Sequence, residues 1–238
     1  MVRAVRTTLP PTASPRSSGP VTTSGPVPPS EPAELLDTLA AARRAGFLGP
    51  GALEPHIRHA LGFADALGVL TEAAPAKALD LGSGGGLPGL VLAARWPEVE
   101  LLLLEAGERR AAFLVDAVAS LGFGDRVRVL RERAEVAGHR AGLRGGFDVV
   151  VARSFGAPAV TAECAAPFLR VGGALVTSGP PDVARHAERW PAEGLSRLGL
   201  GRARQWTAGF TYELAVQLER CPERFPRRIG VPAKRLLF

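Results

Sequence analysis

Residues 78–89 read ALDLGSGGGLPG, and Glu105 follows at the end of the next apolar run. Read from Asp80, the glycines Gly82, Gly84 and Gly86 fall in a D-x-G-x-G-x-G pattern. Read from Gly84, the same stretch is G-x-G-x-x-G ending at Gly89. The first pattern suits a nucleoside such as S-adenosyl-L-methionine. The second suits a dinucleotide whose pyrophosphate meets backbone N–H groups at a helix N-terminus. The dinucleotide frame would run the preceding strand through Gly82 and Ser83, which are poor strand residues. The other frame ends the strand at Leu81, keeps Asp80 near its tip and turns on glycines. Glycine there permits positive φ and lets the backbone approach a ligand closely. Strand register therefore favours the Asp80 frame, with Asp80 orienting the loop or reaching a methionine ammonium group. Gly89 becomes a packing glycine one turn into the following helix. A carboxylate at Glu105 can accept both ribose hydroxyls of either cofactor and does not discriminate between them.

Other chemistry is sparse. Two cysteines, Cys164 and Cys221, supply neither a disulfide framework nor a four-ligand zinc site, and a reducing compartment is the simplest setting. Four histidines, His56, His59, His139 and His186, are scattered. His56 and His59 share a helical face, and packing or an RNA contact suits them better than metal ligation. No metal is expected. The net charge is +6 and, apart from Lys77 and Lys234, every basic residue is an arginine. Arginine grips phosphate bidentately and stacks on bases, so a nucleic-acid partner fits this balance.

The elements that must position these residues alternate. KALDL is a short apolar strand entering the glycine loop, and LPGLVLAARW a helix with its proline in the first turn. VELLLLE reads as a strand covered on both faces, and GERRAAFLVDAVASLGF as a helix with Phe113, Leu114, Ala117, Val118 and Leu121 on one side. RVRVLR and FDVVVAR are strands, APAVTAECAAPFL a helix, and GGALVTSG and TYELAVQLE later strands. This β-α-β-α order predicts a doubly wound, mostly parallel sheet, with ligands beyond the carboxyl ends of the strands. Those ends fall at Asp80–Gly86, Glu105, Arg131–Glu135 and Arg153.

Ahead of the sheet, residues 1–32 are rich in Pro, Ser, Thr and Gly and predict a disordered tail. Residues 33–74 predict a helical extension, with a helix from Pro32 to Arg44, a turn at GFLGPG (46–51) and one or two helical turns over 52–70. Residues 75–238 predict the α/β domain. No run reaches the roughly 18 apolar residues of a membrane span, and the N-terminus lacks the apolar core of a secretory signal. A cytoplasmic location without a membrane partner is expected.

In order along the chain, these motifs resemble the bacterial 16S ribosomal RNA guanine-N7 methyltransferase family over roughly residues 52–235. GSGGGLPG and the helix ERRAAFL after Glu105 carry the resemblance most specifically. RERAE (131–135) is similar to the family's adenine-contacting turn, and ARSFGAP (152–158) to its S-R-A-F segment. IRHAL (57–61) is similar to its R-H-I-L element, and FPRRIGVPAKRLL (225–237) to its basic tail. The resemblance implies a class I, Rossmann-like fold with a seven-stranded sheet, S-adenosyl-L-methionine as cofactor, and 16S ribosomal RNA or the small ribosomal subunit as partner, met by a monomer. It places cofactor contacts on Gly82, Leu87, Ala134, Glu135 and Arg153, the last also positioning the target. It suggests RNA contacts at Arg58, His59, Arg227, Arg228, Lys234 and Arg235. Three positions depart from the family pattern. GFLGPGAL stands in place of Asn-Leu-Thr, Gly62 in place of an acid, and Thr177-Ser178-Gly179 in place of Leu-Lys-Gly.

Guanine N7 presents an unprotonated lone pair, so methyl transfer to it needs alignment and exclusion of water more than a strong base. The absence of an Asn-Pro-Pro-aromatic motif argues against methylation of exocyclic amines. Other readings remain: a class I methyltransferase with another RNA or a small-molecule acceptor, a non-catalytic nucleotide- or RNA-binding relative, and, more distantly, a nicotinamide oxidoreductase.

Overall fold

A computed structural model describes residues 33–180 and 186–238. The reading of residues 1–32 falls outside this range. Two helices come first, α1 (Ala33–Arg44) and α2 (Leu53–Gly68). The alternating part follows as β1 (Lys77–Leu81), α3 (Gly89–Arg95), β2 (Glu100–Glu105), α4 (Glu108–Ser120), β3 (Val127–Arg131), α5 (Ala134–Ala137), β4 (Phe147–Ala152), α6 (Pro158–Ala165) and β5 (Leu169–Ser178). The C-terminal part holds α7 (His186–Arg189), α8 (Ala192–Ser196), β6 (Arg204–Ala208), β7 (Phe210–Val216) and α9 (Val231–Lys234).

The seven strands form one sheet in the order β3-β2-β1-β4-β5-β7-β6. Strands β1 to β5 are parallel, and β7 runs antiparallel between β5 and β6. This is the expected doubly wound, mostly parallel fold. Strand order reverses between β1 and β4, so a crevice opens at their carboxyl ends.

Apolar residues alternate between two cores. Leu103, Val149, Val151 and Tyr212 pack under α1 to α4 with Leu35, Phe63 and Leu90. Leu79, Leu81, Val150 and Leu175 face the other way, toward Phe168, Trp190 and Phe225. Each fully buried leucine contributes about 1.5–3 kcal/mol relative to exposure. Asp80 lies between Leu79 and Leu81 and so turns toward the first core.

The structure corrects the sequence reading in three places. Residues 53–68 are one continuous helix rather than one or two turns. Gly89 is the first residue of α3, not a residue one turn inside it. The strand β6 has no counterpart in the strands read from the sequence. Its residues RQWTA are half-exposed or exposed at a sheet edge, so no buried face marks them.

Candidate cofactor cleft and acceptor face

The glycine loop leaves β1 by hydrogen bonding sideways to its neighbour: the N–H groups of Gly82 and Ser83 donate to the Leu104 carbonyl at 2.8 and 3.1 Å. Gly82, Gly84 and Gly86 take φ of +75°, +57° and +95°, a region that side-chain-bearing residues rarely adopt. A Cβ on Gly82 would lie 2.6 Å from the Phe155 ring, and one on Gly85 2.7 Å from the Leu48 side chain. Backbone geometry and close packing therefore both require these glycines.

Two carboxylates tie the loop down. Asp80 is fully buried, and its Oδ2 accepts the Gly89 N–H at 2.9 Å, fixing the start of α3. Of the two roles open to it, orienting the loop is the one its geometry serves. Glu105 accepts the N–H of Gly84 at 2.9 Å through Oε2 and that of Gly107 at 2.7 Å through Oε1, with Arg110 3.7 Å away. It thereby holds the loop against the tip of β2.

A cleft of about 800 Å³ opens over these strand ends. That volume suits a nucleoside cofactor. Gly82, Ser83, Gly84 and Leu87 line one side, Glu105 the middle, and Ala134 with Glu135 the far side. Asp80 and Gly86 stand behind this lining: Gly86 is buried where a Cβ would meet Leu90. Ala134 is buried at the start of α5. The Glu135 carboxylate accepts from Arg133 at 2.8 Å and from the Gly230 N–H at 3.0 Å. Burial pushes this carboxyl up, but these donors outweigh it and hold it below its usual value.

Arg153 follows β4 at the other edge of the cleft. Its Nη2 donates to His56 Nδ1 at 2.6 Å, while its buried Nη1 has no hydrogen-bond partner. Ser154 then takes φ +55°, an uncommon backbone for a residue with a side chain, and swings Phe155 over Gly82. Two buried polar atoms thus stand unsatisfied around the loop, Asp80 Oδ1 and Arg153 Nη1. A donor left free at the edge of a cleft of this size fits a polar ligand. Apolar side chains such as Leu87 and Ala134, a bare glycine backbone and a strand-end acid fit an adenosine-bearing cofactor.

Residues missed by the sequence reading also line the cleft: Phe47, Leu48, His56 and Phe155. Phe47 packs edge-on against Phe113 of α4 at 5.6 Å, which seats the 46–51 turn over the glycine loop. The glycines flanking Phe47 and Leu48 mark a turn but not what the turn covers.

The expected RNA residues divide. Arg58, Arg228, Lys234 and Arg235 are exposed. His59 instead packs on the rings of Phe63, Phe210 and Tyr212, with centroids 4.7 to 5.7 Å apart. Burial, together with Arg153 and His56, lowers its pKa to about 4, so it is neutral near pH 7. Arg227 is committed to the buried Glu163, donating from Nη2 at 2.6 Å and from Nε at 2.8 Å. These two side chains serve packing and internal pairing where a phosphate contact was expected. Ser178, where the family pattern has a lysine, ends β5 half-buried opposite Tyr212. Thr177 before it, at the pattern's leucine, is buried between Ala152 and Glu213 with its hydroxyl unpartnered.

Comparison with known proteins agrees with this architecture. The family model described as rRNA small subunit methyltransferase G (GidB) matches residues 53–178. Curated relatives named ribosomal RNA small subunit methyltransferase G include one from Moorella thermoacetica, 36% identical over 68% of this chain and 70% of its own length. Another, from Syntrophomonas wolfei, is 36% identical over 79% of this chain and 87% of its own length. Among solved structures, an O-methyltransferase from Bacillus cereus in complex with SAH aligns with a TM-score of 0.57 at 16% identity, over 80% of this chain and 93% of that one. The O-methyltransferase TomG from Streptomyces achromogenes in complex with SAM aligns with a TM-score of 0.55 at 19% identity, over 80% and 92%. At such identities the structural likeness bears on the fold alone. With the family model spanning more than half of the residues and relatives above 30% identity covering most of its length, this chain belongs to the rRNA small subunit methyltransferase G family.

Proposed function

We infer that this protein transfers a methyl group from S-adenosyl-L-methionine to N7 of a guanine in 16S ribosomal RNA. The observation that carries the reading is the family membership joined to an intact cleft: three positive-φ glycines, held by Glu105, beneath an opening of nucleoside size. When bound, the sulfonium cofactor supplies an activated methyl group.

The chain's own residues bind and align. The side-chain-free backbone around Gly82 and Gly84 leaves room for the methionine end. Glu105 accepts the ribose hydroxyls, and Leu87 and Ala134 give apolar contact. Glu135 holds the segment beside the base. Arg153, held by His56 and left with one free Nη, positions the incoming guanine or its phosphate. Phe155 and the Phe47–Leu48 turn cover the reacting end and exclude water. Because N7 carries its own lone pair, alignment suffices without a general base. Arg58, Arg228, Lys234 and Arg235 supply phosphate contacts outside the cleft. A ribosomal RNA substrate puts the enzyme in the bacterial cytoplasm, and among the described residues no helix is long and apolar enough to cross a membrane.

Mapping N7-methylguanine in 16S ribosomal RNA from cells with and without the gene tests this reading. One modified guanine should disappear on deletion and return with the wild-type gene. An unchanged map rejects the assignment.

A further inference from the structure

The C-terminal residues look, from their charge, like a tail that merely meets RNA, yet their inner side is built into the molecule. Glu163 lies in the middle of α6 with no solvent exposure. A carboxylate buried that deeply persists only with full pairing. Arg227 provides it three times: its backbone N–H and Nε donate to Oε1 at 2.8 Å each, and Nη2 donates to Oε2 at 2.6 Å. The same Nη2 also donates to the Arg235 carbonyl at 2.7 Å, across the turn of α9.

Further bonds fix the segment to the loop around α5. Gly230 N–H donates to Glu135 at 3.0 Å, and His139 Nε2 lies 2.8 Å from the Pro226 carbonyl. Arg144 donates to the carbonyls of Cys221, Pro222 and Phe225 at 2.8 Å. A Cβ on Gly138 would lie 2.8 Å from the Pro226 ring, so the two segments are in close contact.

This anchoring delivers α9 to the cleft. Ala233 and Leu236 line it alongside Ala134, Val160 and Cys164, residues on the α5 and α6 side of the sheet. Both residues are exposed, Leu236 to 54%, so their apolar surface faces the open cleft. With Glu105 on the ribose and the β1 loop on the methionine, the base extends past β2 toward Ala134, beyond the end of β3.

We propose that α9 and the residues just after it form the base-side wall of the cofactor cleft, with Ala233 and Leu236 touching the adenine and the Glu163–Arg227 pair acting as the positioning device. The proposal rests on the S-adenosylmethionine reading of the cleft. It makes cofactor affinity depend on a segment whose outer surface carries the basic residues.

The test is calorimetric titration of S-adenosylhomocysteine, and separately of adenosine, into the full-length protein. Ala233→Glu should weaken both ligands at least tenfold, and Leu236→Ala about three- to tenfold, with melting temperatures of the free proteins unchanged. Glu163→Gln should raise KM for S-adenosylmethionine about tenfold while kcat at saturating cofactor stays within twofold. Loss of the buried pair lowers the melting temperature in either case; a KM of the folded fraction equal to that of the wild type overturns the positioning role. Wild-type binding with unaffected Ala233→Glu and Leu236→Ala variants overturns the wall itself. Failure of the wild type to bind either ligand overturns the cofactor reading and this proposal with it.

Discussion

At the scale of single residues, Asp80 has the largest consequence for its size. Burial lifts its carboxyl from an ordinary 3.8 to about 7, against the pull of the Gly89 N–H. A raised acid pKa means the folded chain keeps a proton that the unfolded chain releases. This stabilising contribution is fully present below about pH 4 and is lost as pH rises through about 7. The slope reaches at most about 1.4 kcal/mol per pH unit in that window. Asp80→Asn keeps an acceptor for Gly89 and removes the titration. Urea unfolding at pH 4, 5.5, 7 and 8.5 should therefore show the wild type losing stability relative to the variant up to pH 7, and a constant difference above it. Parallel profiles would show that Asp80 does not titrate there. The adjoining Gly89 is limited by space: an added Cβ would lie 2.5 Å from Asp80 Oδ2 and closer still to Leu103. Gly89→Ala should cost about 1–3 kcal/mol by overpacking, read as a lower urea midpoint at unchanged m-value.

Among the elements, the seating of α2 on β7 decides how firmly the cleft is roofed. The hydroxyl of Tyr212 donates to the His59 carbonyl at 2.7 Å, in a space left by Gly62, where any Cβ would strike that hydroxyl. The same helix carries His56, which holds Arg153. Tyr212→Phe should lower stability by about 0.5–1.5 kcal/mol in thermal denaturation. Gly62→Ala should lower it further, because ring or helix must move. Much of this architecture was legible in the chain. Strands β1, β2 and β4 and residues 173–177 of β5 are buried on both faces and so appear as mostly apolar runs, and the glycines of the loop announce their own backbone. What escaped was non-local. Arg153 finds His56 97 residues away, and Arg227 finds Glu163 64 residues away, so neither pairing leaves a spacing to read. Glu163 sits in an alanine-rich helix with nothing beside it to flag an ion pair. His59 looked like a surface contact because its ring partners Phe210 and Tyr212 arrive from the last strand.

For the whole molecule, the question is which part of the +6 net charge is free to act on RNA. Several arginines are already engaged internally: Arg133 with Glu135, Arg140 with Glu132, Arg170 with Asp148 and Arg227 with Glu163. Arg228, Lys234 and Arg235 remain exposed on a segment whose inner side is anchored at Arg227 and Gly230. Anchored charges lose little freedom on meeting phosphates, so they should contribute more than the same residues on a loose tail. Each phosphate they neutralise releases counterions and adds about 0.7 to the slope of log affinity against log salt for single-stranded RNA. Replacing all three with alanine should reduce the magnitude of that slope by about 2. Affinity should fall most steeply at 50 mM salt and least at 200 mM. Fluorescence anisotropy with a 16S ribosomal RNA fragment across that range would measure both. A lower affinity at unchanged slope would assign these residues to packing, and an unchanged affinity would move the RNA face to the side of the cleft bearing Arg58.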